Sequence, residues 1–150
     1  MNRSVITLRP DMALGDAARM LDRAGVAGAP VVRGDRVVGM VGRDDLMARA
    51  RAISPHAQAS GPFLRYEHVL DGLSPELTVE GVMTPQVITA GVDWPVGRAA
   101  ATMEETGVNR LPVLDSEGRL VGIIARNDVI GAVARAARME GSARPLLRPD

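Results

Sequence analysis

Cysteine is absent from the 150-residue chain. That excludes disulfides, zinc–thiolate sites and thiol catalysis, and it fits a reducing cytoplasm. Aromatic side chains are nearly absent too: Phe63, Tyr66 and Trp94 are the whole set. The core must therefore be built from Val, Ile, Leu, Met and Ala, and base-stacking platforms for single-stranded nucleic acid are not expected. Net charge is zero, with 18 basic and 18 acidic residues. Such a balance leaves no electrostatic footprint for nucleic acid and no pull toward an anionic membrane. No apolar run approaches the roughly 20 residues a membrane helix needs. The N-terminus has no signal-peptide apolar stretch.

Enzyme signatures are missing as well. There is no Gly-x-Gly-x-x-Gly, no Gly-x-x-x-x-Gly-Lys-Ser/Thr, no Gly-x-Ser-x-Gly and no His-Glu-x-x-His. His56 and His68 stand without a spaced partner, so neither a metal site nor a triad is indicated. No catalytic residue and no metal ligand is expected.

What the chain does contain is a repeat. Val5-Ile6-Thr7 returns as Val87-Ile88-Thr89, Asp11 as Asp93, and Gly25-Val26 as Gly107-Val108, all at a shift of 82 (89 − 7). One extra residue in a turn moves the shift to 83 (122 − 39), and Val38-Gly39, Arg43 and Asp45 then meet Val121-Gly122, Arg126 and Asp128. One supersecondary unit is used twice. Two units are too few for a solenoid, so they must bury their apolar faces on each other.

Each unit opens with the β-branched run Val5–Thr7 or Val87–Thr89, which predicts a strand. Asp11 or Asp93 follows as a helix N-cap. Leu14, Ala17, Ala18 and Leu21 then share a helix face, as do Val96, Ala99, Ala100 and Met103. Gly25 and Gly107 stop these helices. A hairpin follows, Ala29–Val32 with Val37–Val41, or Leu111–Leu114 with Leu120–Ile124. A second helix starts at Asp44 or Asn127. The unit is β-α-β-β-α. The expected organisation is a first copy over 1–50, a linker over 51–80, a second copy over 81–138 and a flexible tail over 139–150. Within the linker, Phe63–Leu73 could hold a short helix.

Two stretches, Gly107-Val108-Asn109-Arg110-Leu111-Pro112-Val113-Leu114-Asp115 and Leu120-Val121-Gly122-Ile123-Ile124, with Met83-Thr84-Pro85 before the second copy, resemble the CBS domain. Two copies in tandem resemble a Bateman module. The resemblance implies an α/β (α+β) fold in which the repeats pack through small sheets around a pseudo-twofold axis. It implies clefts that bind an adenosine nucleotide (AMP, ADP or ATP) or S-adenosylmethionine, with no cofactor required. It also implies a homodimer that passes a signal to a regulated protein; the charge balance and missing cysteine add the expectation of a cytoplasmic protein with neither nucleic acid nor membrane as partner. The alternative is a structural dimerisation or docking module that binds no ligand.

In the family, the third strand enters the second helix through Gly-(apolar)-(apolar)-Ser/Thr-x-x-Asp, whose Asp bonds ribose hydroxyls and whose hydroxyl bonds a phosphate. The Asp is kept here as Asp45 and Asp128. The hydroxyl is not: Gly42 and Ala125 stand in its place. Free N–H groups at these helix starts, with Arg43 and Arg126 beside them, are expected to hold an anion instead. Asn127 belongs to the same stretch. Thr7, Thr89, Pro30 and Pro112 complete the candidate set as cleft-lining groups.

Each of these residues also has a plainer account. Asp45 and Asp128 stabilise any helix from its first turn. Arg43 and Arg126 could be solvated or paired with nearby acids. Thr7 and Thr89 are ordinary strand residues, and Pro30 and Pro112 set strand geometry. Trp94 is either an interface anchor or a cover for its own helix end. The arginines from Arg135 to Arg148 either touch an acidic partner or keep the tail soluble. Asp44 beside Asp45 adds negative charge to the first site, so the second is expected to bind a nucleotide more tightly.

Overall fold

The computed structural model describes residues 2–53 and 77–143. The linker breakers Ser54-Pro55, Gly61-Pro62 and Ser74-Pro75, both histidines and the Phe63–Leu73 stretch lie outside the described residues.

Helix α1 (Leu14–Ala24) buries Leu14, Ala17, Ala18 and Leu21, the face its spacing predicts. It stops at Gly25, whose φ of 64° suits a residue without a side chain and whose N–H bonds Asp22 O. Its counterpart α3 (Val96–Thr106) stops at Gly107, φ 73°, with the N–H on Met103 O. The starts differ from expectation. Ala13 and Pro95, not Asp11 and Asp93, hold the N-cap positions, and neither position has a side-chain cap. Both aspartates fall in turns just upstream, a site Asp also favours. Asp11 pairs with exposed Arg9 at 3.5 Å.

Strands β1 (Gly28–Arg33) and β2 (Arg36–Gly42) pair antiparallel, from Gly28 with Gly42 to Arg33 with Arg36. They form a two-stranded sheet. In the second copy β3 (Ala90–Gly91), β4 (Arg110–Leu114) and β5 (Leu120–Ala125) form a three-stranded sheet in that order. The β-branched runs Val5–Thr7 and Val87–Thr89 are not strands. Pairing begins three residues later, at Leu8 beside Val31 and at Ala90 beside Val113. Burial decides this slip. Leu8 and Ala90 reach their cores, whereas Ile6 stays exposed. Propensity alone does not place a strand without a packed face.

Helices α2 (Arg43–Ile53) and α4 (Arg126–Ala143) follow β2 and β5 with no loop between. Helix α4 runs past Arg138 into the stretch expected to be a flexible tail, because Ala137, Met139 and Glu140 are good helix formers. The end of the expected linker is likewise structured. A 3-10 turn over Val79–Gly81 buries Val79 in the first core, and its N–H bonds Met12 O at 2.9 Å.

The chain gathers into two compact units, each built from discontinuous sequence. One comprises Ser4–Val87 with Gly118–Leu120. The other joins residues 1–3 to Ile88–Glu117 and Val121–Asp150. In the first unit Thr84 bridges Met40 by backbone bonds of 3.0 and 2.9 Å. In the second, Asn2 bridges Ile123 by two bonds of 2.9 Å. These are the same contact in repeat register. The lead-in at Met83-Thr84-Pro85 therefore has a working counterpart around Asn2, invisible in the sequence because backbone alone makes the bonds.

The first core is Leu8, Leu14, Leu21, Val31, Val41 and Leu46 with small alanines between them. The second is smaller, around Met103, Leu111, Val113 and Val129. Equivalent positions differ sharply in exposure. Leu14 is 1% exposed and Val96 41%. Ala50 is 3% exposed and Val133 59%. In the first unit, residues around Leu77, Val79 and Val82 add to the packing.

Candidate functional site

The strand-to-helix junctions are built identically in both copies. Gly42 N–H donates to Asp45 Oδ2 at 2.7 Å, and Ala125 N–H donates to Asp128 Oδ2 at 2.8 Å. The next amide donates backward: Arg43 N–H to Ala27 O at 2.9 Å, Arg126 N–H to Asn109 O at 2.8 Å. Each Asp thus closes the first helical turn from within, satisfying a donor that helix geometry leaves orphaned. The N–H groups expected to be free for an anion at Gly42 and Ala125 are engaged by the chain itself. The other oxygen, Oδ1, of each carboxylate accepts no hydrogen bond among the described residues.

The arginines beside them part company. Arg43 turns toward α1, where its Nη2 lies 3.3 Å from Asp22 Oδ1. Its Nε is buried without a partner. Arg126 is exposed and has no ion pair among the described residues. The repeat explains part of this difference, because Glu104, in the place of Asp22, stays exposed and unbridged among the described residues.

Thr7 and Thr89 are half-buried just upstream of the first pairing residues, outside any strand. Pro30 and Pro112 are fully buried inside β1 and β4. The Pro30 carbonyl accepts Leu8 N–H at 3.0 Å, so it is taken by the chain. Trp94 packs on the second core with the Arg98 guanidinium 3.9 Å above its ring, covering its own helix start.

A hollow of about 300 Å³ opens in the second unit. Asn127 and Asp128 line it, with Val96, Ile124, Gly131, Ala132 and Arg135. Of the predicted site residues, only Asn127 and Asp128 are brought together there; Thr89, Pro112, Ala125 and Arg126 are not among its lining. Gly131, Ala132 and Arg135 follow Asp128 at three, four and seven residues, one face of a 3.6-residue helix. That spacing was the available signal. It goes unused when Arg135 is counted with the tail arginines. The hollow offers a carboxylate oxygen, an amide and a guanidinium against the apolar side chains of Val96 and Ile124. Among the described residues, no group of His, Cys, Asp or Glu could hold a metal ion.

The model of the CBS domain matches residues 1–51 and 79–135, nearly all of both repeats. The chain belongs to the CBS-domain family. It is 31% identical over 146 residues to the uncharacterized protein MJ1426 of Methanocaldococcus jannaschii, covering 85% of each chain. Its fold is similar to CBSX2 of Arabidopsis thaliana, with TM-score 0.73, 26% identity, and coverage of 92% of this chain and 93% of that one. CBSX2 has also been solved in complex with AMP, at TM-score 0.70. The CBS pair of MJ0100, solved with 5′-methylthioadenosine and S-adenosyl-L-methionine, matches with TM-score 0.67 and 26% identity over 88% of this chain and 93% of that one. The CBS pair spans only 21–22% of the inosine-5′-monophosphate dehydrogenases it resembles. Among the described residues, no helix of this CBS pair is long and apolar enough to cross a membrane.

Proposed function

We propose that this CBS pair is a cytoplasmic ligand-sensing module, not an enzyme, and that it binds an adenosine-containing ligand and signals to a partner protein. The observation that carries this reading is Asp128, whose Oδ1 accepts no hydrogen bond among the described residues and which lines a hollow together with an amide, a guanidinium and apolar side chains. Convergent polar groups on an apolar wall are what a small-molecule site requires. An acceptor-only carboxylate suits a pair of sugar hydroxyls. The AMP complex of CBSX2 and the 5′-methylthioadenosine and S-adenosylmethionine complex of MJ0100 point to the same ligand class.

The module also acts as a homodimer in this reading. Ile130 and Val133 on α4 are 60% and 59% exposed, and Ala134 and Ala137 continue the stripe. At 100° per residue, this stripe lies away from the face that lines the hollow.

A second reading is a scaffold that binds nothing. It is favoured by the absence of hydroxyls at Gly42 and Ala125 and by the internal use of both junction amides. Thermal-shift titration with AMP, ADP, ATP and S-adenosylmethionine separates the two. One site filled at 100 times its dissociation constant adds about 2.7 kcal/mol of stability. No shift with any of the four leaves the scaffold. Incubation with ATP is expected to yield no product.

A further inference from the structure

Arg135 is exposed on α4 and has no ion pair or hydrogen bond among the described residues. It lines the hollow that Asp128 lines, and no ion pair joins the two. A side chain built on Gly131 would meet Arg135 Nη1 at 3.3 Å. The guanidinium therefore lies back over Gly131, toward the start of the helix. Glycine within a helix costs about 0.5–1 kcal/mol relative to alanine. Here its missing side chain is the space the guanidinium uses. Gly131 lies three residues from Asp128, about 4.5 Å along the axis at 1.5 Å per residue. A hydroxyl acceptor and an anion donor thus face one hollow about a helical turn apart. The first copy has no such pair: Ala48 and Ala52 stand in the places of Gly131 and Arg135.

We infer that Arg135 is the specificity-determining residue of the second site, gripping an anionic 5′ arm while Asp128 takes the sugar hydroxyls. The ligand class is then a nucleoside phosphate, in preference to a nucleoside with a neutral or cationic 5′ arm. Arg135 supplies the anion contact that the missing hydroxyl at Ala125 cannot. The inference rests on the reading that Asp128 binds a nucleoside.

The test is calorimetric titration of the full chain with AMP and with adenosine. A hydrogen bond to a charged group contributes about 1.5–3 kcal/mol, and exposure argues for the lower end. The unaltered protein is expected to prefer AMP by about tenfold. Arg135→Ala should remove that preference and leave adenosine affinity unchanged. Arg135→Lys should keep part of it. Rising salt should shrink the preference wherever a cation stands at position 135 and have no such effect on Arg135→Ala. Equal affinity for AMP and adenosine, or an Arg135→Ala protein that still prefers AMP, overturns the role of Arg135 and leaves nucleoside binding standing. Failure of both compounds to bind the folded protein overturns the binding reading itself, and this inference with it.

Discussion

Asp128 accepts the backbone N–H of Ala125 at 2.8 Å, so a residue expected to serve a ligand first serves its own helix. Asp45 does the same for Gly42 at 2.7 Å. One oxygen fixes the junction and the other accepts no hydrogen bond among the described residues. A ribose role and a capping role are therefore compatible in one carboxylate, and variants can separate them.

Asp45→Ala and Asp128→Ala should each lower stability by about 1 kcal/mol, the usual cost of losing a helix-start acceptor. Asp45→Ala should cost more, because Asp45 is half-buried and Asp128 exposed. Asparagine at either position keeps an acceptor and should recover most of the loss. Urea unfolding measures both.

Asp128→Ala should weaken AMP binding about tenfold, and Asp45→Ala much less. The second site has Arg135 and the hollow, whereas the first has Asp44 beside Asp45 and an Arg43 held by Asp22. Calorimetry on the two variants decides it. Equal losses, or a larger loss from Asp45→Ala, would show that the site is misplaced.

Gly39→Ala should destabilise by about 1–3 kcal/mol, as overpacking does. A side chain there would meet Met83 Cγ at 2.8 Å and Cβ at 3.1 Å. Adding Met83→Ala should relieve much of the clash, so the two changes should be non-additive in a double-mutant cycle. Additive losses would place the strain elsewhere.

Light scattering should give twice the chain mass for the unaltered protein. Ile130→Glu with Val133→Glu should give a single chain mass and leave the unfolding midpoint of the monomer little changed, because both side chains are exposed. A monomer before substitution removes the dimer from the proposal.

The repeat, the hairpins and the helix stops at Gly25 and Gly107 could be read from the sequence because each depends on local pattern or on φ > 0. The first strands could not. Their position is set by which residue reaches the core, and Leu8 and Ala90 do so just past the β-branched runs that propensity favours. Asp11 and Asp93 satisfied a capping pattern, but the turns before α1 and α3 took them. The hollow was half legible. Asp128 and Asn127 sit in a motif, whereas Arg135 joins them only through the helix face it shares with Asp128 two turns away, a relation no motif carries.

The exchanged lead-ins set a timetable for assembly. Thr84 must find Met40 across 44 residues (84 − 40), and Asn2 must find Ile123 across 121 (123 − 2). Loop-closure entropy grows as (3/2)RT ln n, so the longer search costs about 0.9 kcal/mol more. On a ribosome the first unit can close its sheet edge once Thr84 has emerged, while Asn2 must wait for Ile123, made 121 residues after it (123 − 2). A segment made before the whole first unit then docks after that unit has closed, and a chain halted before Ile123 carries an unclaimed edge-forming segment around Asn2.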